Sequence, residues 1–180
     1  LVPLRWLPGV PVRAWRAARG AVAGAPVFAL AAMAFPLLYL ALALTPELGW
    51  DALTYHLRAP SHYLAAGRIS PLMSSPASFY PFLAEMWSLL AMAFGGDGAA
   101  KLVNFAFLPL TMFALADIGG VLAGPRAGWL AALLYAGMPA AGALAGQTYN
   151  DLETAWLILL ATRLAAGRGA AARAASGVLC

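Results

Sequence analysis

Apolar residues in this sequence come in long runs, broken at a few places. Residues 22–45 contain no charged side chain. At about 1.5 Å per residue the run is long enough for a hydrocarbon core of roughly 30 Å. Pro36 lies inside it, where a membrane helix tolerates a kink. Further apolar runs occupy 101–118, 128–146 and 152–166, and each predicts a helix. Residues 79–94 are also apolar apart from Glu85, but they are short for a span and end at Gly95-Gly96-Asp97-Gly98. The first polar interruption is Thr45–Tyr63, which sets Glu47, Asp51, His56, Arg58 and His62 among Trp50, Tyr55 and Tyr63. Tyr55 to Ala66 reads as a short helix disturbed by Pro60 and closed by Gly67 and Pro71. Residues 72–81 are turn-rich, and Val12 to Arg19 reads as a short interfacial helix or a plain basic anchor.

Composition strengthens the membrane reading. The chain is 63% hydrophobic and 10% charged, against about a quarter charged in soluble domains. Apolar runs recur to the end, so a signal peptide does not account for them. The net charge of +4 comes from arginines scattered around the runs. That excludes a nucleic-acid face and fits the cytoplasmic excess of membrane proteins. The single cysteine, Cys180, permits no internal disulfide. The chain starts at Leu1 and ends in GVLC, so the expectation is the N-terminal part of a larger protein.

Charge decides how residues 79–94 are treated. If they crossed the membrane, the tail with Arg168 and Arg173 would lie outside. If they stay at the outer interface, Arg5, Arg13, Arg16, Arg19, Arg126, Arg163, Arg168 and Arg173 fall inside, and only Arg58, Arg68 and Lys101 fall outside. Glu47, Asp51, Glu85, Asp97, Asp151 and Glu153 then gather outside, with Asp117 near the inner face. The expected fold is therefore an all-α, polytopic transmembrane helical bundle over residues 1–180. Its spans are about 22–45, 101–118, 128–146 and 152–166, and juxtamembrane helices lie in an outer loop, 46–99.

Three acids then share one face. Asp51 follows the first span, Asp151 ends the turn Gln147-Thr148-Tyr149-Asn150-Asp151, and Glu85 lies between them in sequence. Carboxylate oxygens suit Mg²⁺ or Mn²⁺, and a carboxylate also serves as general base toward a hydroxyl. Plainer readings stand beside these. Asp151 fits a helix start, Asp51 fits one too, and Glu85 fits a surface helix turned to water. His56 is a candidate to orient a carboxylate or bind phosphate. Arg58 and Arg68 suit an anionic leaving group or lipid headgroups. No Walker loop, GxSxG elbow, HExxH or Rossmann fingerprint occurs.

The order WDALTYHLRAPSHYLAAGRI, SFYPFLAEMW, QTYND resembles the N-terminal part of bacterial GT-C type membrane glycosyltransferases. Protein O-mannosyltransferases and lipid A aminoarabinose transferases belong to that superfamily. The resemblance spans about Phe28 to Leu164. It departs from the mannosyltransferase Asp-Glu pair, because Ala52 follows Asp51, and from the usual Lys-Pro-Pro turn, replaced here by Phe79-Tyr80-Pro81. It implies transfer of a sugar from a polyprenyl-phosphate donor to a hydroxyl acceptor, at the outward face of a bacterial inner membrane. Asp51 would be the base, while Glu85 and Asp151 would orient phosphate, directly or through a divalent cation. Tyr55, His56, Arg58, Arg68, Tyr149 and Asn150 would contact substrate. A secondary transporter and a non-catalytic membrane assembly protein are the competing expectations.

Overall fold

The computed structural model describes residues 24–72, 75, 77, 80 and 82–166, and among these every regular element is helical. The expected helix at Val12–Arg19, Phe79 and Pro81 of the turn, and the basic tail from residue 167 lie outside the described residues. Helix α1 runs Pro26–Ala43. It opens on proline, whose missing N–H costs nothing in a first turn. A π-helical turn, Ala52–His56, follows and then α2, Arg58–Ala66. The single helix expected from Tyr55 is thus two pieces joined at Leu57, whose N–H reaches back five residues to the Ala52 carbonyl at 2.8 Å. Pro60 falls in the first turn of α2, where it removes no helical bond.

Helix α3 covers Leu83–Ala123 but is broken at Gly95 and Gly96. Gly96 has φ 64 and ψ −160, a conformation that only glycine adopts at low cost. The break decides what α3 can touch. Glu85 shares a cleft with Thr148 and Glu153, while Asn104 donates to the carbonyls of Leu144 and Gln147. Along a straight helix these two residues would stand about 28 Å apart. Turning at Gly95–Gly96 lets both reach residues 144–153.

Helices α4, Pro125–Ala136, and α5, Pro139–Ala145, are bent by 68° relative to each other. The continuous span expected over 128–146 is broken there because Met138 precedes a proline and is extended, at φ −71 and ψ 129. Helix α6 runs Asp151–Ala165.

Among the described residues two helices, α1 and α3, are long and apolar enough to cross a membrane, and the bent α4–α5 pair passes the same test if taken as one. Their side chains are distributed as lipid requires. Helix α1 buries Ala29, Ala32, Pro36 and Ala43 and exposes Val27, Leu30, Leu37 and Leu38. Small residues face the bundle, where they allow close approach, and large apolar ones face outward. The core adds Phe107, Leu108, Met112, Trp129 and Leu152 to these alanines. At one end of this core the chain is polar: the loop after α1, the π-turn, residues 83–88 and the start of α6 meet there.

Candidate functional site

The π-turn gives the site its first member. A π-turn is wider than an α-turn and frequently marks functional positions. Here it ends on His56, which is 4% exposed. The imidazole Nδ1 lies 2.5 Å from Glu85 Oε1, a short side-chain contact. Glu85 is itself 2% exposed. The ring of Tyr55 lies 4.1 Å from that of His56 and the ring of Tyr149 lies 5.6 Å from it, so aromatic faces flank the pair.

A second carboxylate faces the same cleft. Glu153, in the first turn of α6, is 4% exposed, and its Oε2 has no hydrogen-bond partner. His56, Ala84, Glu85, Ser88, Thr148, Tyr149 and Glu153 line the cleft, whose interior is too tight for a water molecule. Two carboxylates and one imidazole are therefore enclosed together, and a buried charge left unpaired is costly.

Asp51 is not among the residues that line the cleft. It is half-buried, immediately before the π-turn. Burial, and then the charges of Asp51 and Glu85, push the Tyr55 phenol above its ordinary range, which places both carboxylates within electrostatic reach of that ring. Glu85 meets His56 rather than Asp51. Of the remaining sequence candidates, Tyr55 and Tyr149 join the cluster. Asn150 is exposed, and its carbonyl accepts from the Thr154 hydroxyl at 2.7 Å. Asp151 is exposed as the first residue of α6, a position favourable to acid. Arg58 and Arg68 are exposed. Among the described residues no three His, Cys, Asp or Glu side chains are gathered to hold a metal ion, so Asp51, Glu85 and Asp151 form no such group.

Four polar side chains outside the sequence prediction complete this end. Glu47 accepts from the Thr148 N–H and hydroxyl. The Lys101 ammonium donates to the Thr45 and Pro46 carbonyls at 2.8 and 3.2 Å, in the loop just beyond the end of α1. Asn104 holds the turn after α5 through Leu144 and Gln147. Glu153 is the fourth. Lys101, Asn104 and Glu153 each interrupt an apolar run, and that was the available signal. No protein-family model, curated protein or solved structure matches the chain.

Proposed function

We propose that the protein transfers a sugar from a polyprenyl-phosphate donor to a hydroxyl acceptor, at the outward face of a bacterial inner membrane. The observation that supports this most is the sorting of acids by burial. Asp51 is open enough to meet an acceptor, whereas Glu85 is buried and already matched by His56. Asp51 takes the acceptor proton as the hydroxyl oxygen attacks the anomeric carbon. The bond from that carbon to the phosphate oxygen breaks, and polyprenyl phosphate leaves with the electron pair. His56 and Glu85 act behind Asp51, holding the π-turn against α3.

The placement of the acids next to apolar helices fits a lipid-borne donor. Ionisable side chains enclosed in such a bundle are expensive and mark function by default. The test uses the full-length protein reconstituted in lipid with polyprenyl-phosphate sugars and hydroxyl acceptors. Asp51→Asn should lower turnover by about 10²-fold or more. Wild-type turnover in that variant removes Asp51 as base, and no transfer across a broad donor panel removes the reading itself.

A further inference from the structure

We propose that Glu47 is a positioning residue that locks the two polar loops of the site into one unit. The consequence for catalysis rests on the transferase reading above, but the geometry does not. Glu47 Oε1 accepts from the N–H groups of Leu48 at 2.9 Å and Gly49 at 2.8 Å. Its Oε2 accepts from the Thr148 N–H at 2.7 Å and the Thr148 hydroxyl at 2.9 Å. One carboxylate thus fastens the loop after α1 to the loop before α6, across 101 positions of sequence.

Both oxygens are committed, and all four donors are uncharged. The nearby cation, Lys101, spends its hydrogen bonds on the carbonyls of Thr45 and Pro46 and on the Thr45 hydroxyl. Those contacts hold the chain just ahead of Glu47, so the carboxylate is aimed before it binds Thr148. A carboxylate is acceptor-only and suits four converging donors. An amide of the same shape would turn an NH₂ group toward two of them.

Each end of the clamp leads directly into the site. Four residues beyond Glu47 is Asp51, at the start of the π-turn. One residue beyond Thr148 is Tyr149, whose ring packs beside His56. The separation of Asp51 from the Tyr149–Asp151 segment is therefore set through Glu47. Misplacing reacting groups by about 1 Å can cost on the order of 10²-fold in rate, so a residue that touches no substrate still controls turnover.

The experiment uses the full-length protein in lipid nanodiscs, with Glu47→Gln, Thr148→Val and Thr148→Ser. Amide exchange is measured over residues 44–50 and 145–151. Glu47→Gln should speed exchange in both segments by roughly tenfold, the loss of about one charge-assisted bond, and leave 117–125 unchanged. Thr148→Val, which keeps the backbone contact, should give a smaller rise at both, and Thr148→Ser should restore the native rates. In transfer assays kcat should fall about tenfold or more, with the donor KM held within about twofold. Loosening of one segment alone overturns the clamp, and unchanged kcat when both loosen overturns its role in positioning the site. If the wild type transfers no sugar, coupled loosening still supports the clamp and the failure belongs to the transferase reading. Should Glu47→Gln not fold, the two Thr148 variants carry the same comparison.

Discussion

At the residue scale, three ionisable side chains, His56, Glu85 and Glu153, are buried together beside one cleft, and they differ in what they would lose. His56 and Glu85 hold each other at 2.5 Å, both nearly inaccessible. Removing one strands the other, and breaking a buried pair costs about 3–5 kcal/mol. Glu153 has no partner on Oε2 and sits beside a like charge, so its carboxylate has little to lose. Glu85→Ala should therefore destabilise the protein by about 3 kcal/mol, and Glu153→Gln by less than about 1 kcal/mol or not at all. Denaturation of the purified protein in detergent measures both. Equal losses would mean that Glu153 is paired in the folded protein. Glu85 was visible in the sequence as a lone acid in an apolar stretch, but its partner was not. His56 lies only five residues from Asp51 along the chain. The π-turn instead aims the imidazole at α3. Glu153 was hidden because it stands two residues after Asp151, and a local pattern cannot say which of the two faces inward.

Packing between elements turns on small residues. Gly119 and Gly128 bring α3 and α4 into contact across the short connection at Gly124. A Cβ on Gly128 would lie 2.2 Å from the Ala116 carbonyl oxygen and 2.7 Å from the Gly120 nitrogen. Those are backbone atoms and cannot step aside. Gly120, one residue after Gly119, has nothing within 4 Å of the same position. Gly128→Ala should destabilise by about 1–3 kcal/mol, as overpacking does. Gly120→Ala should be neutral or stabilising by up to about 1 kcal/mol, since alanine is the better helix former. Thermal unfolding of the two variants side by side checks this, and a neutral Gly128→Ala would mean that the hairpin opens freely there. The other element-scale feature decides between two readings of Glu85. Residues 83–94 carry exposed Leu83, Trp87, Leu90 and Phe94, while Glu85 and Ser88 are buried. The plainer reading, a surface helix that turns Glu85 to water, is not what the structure shows. Its polar face is inward because the rest of this end supplies polar partners, and those partners come from α6 and the π-turn, which no local pattern could bring together.

For the whole molecule, the chain has two polar ends separated by apolar helices. One holds Glu47, His56, Glu85, Lys101, Thr148 and Glu153. The other joins Arg163 Nε to Asp117 Oδ2 at 2.5 Å. Arg163 lies about 18 Å from Asp151 along α6, and Asp117 about 20 Å from Asn104 along α3, about two-thirds of a hydrocarbon core of roughly 30 Å. The Arg163–Asp117 pair is 40% and 44% exposed, a setting in which such a pair adds at most about 1 kcal/mol. Its value lies in marking an end rather than holding the fold. In the orientation expected from the arginine count, that end would face the cytoplasm and the acid end the outside. Cys180 is the only cysteine in these 180 residues, so a Cys180→Ser form of this 180-residue chain reads single introduced thiols cleanly. Asn150 and Ala123 are both exposed, one near each end. In intact cells a membrane-impermeant maleimide should label Asn150→Cys directly, and Ala123→Cys only after the membrane is permeabilised. The reverse pattern would invert the protein and put Asp51 on the cytoplasmic side, away from an outward-facing lipid-linked sugar. Direct labelling at both positions would mean that the segment between them does not cross an odd number of times, which would undo the two-ended arrangement.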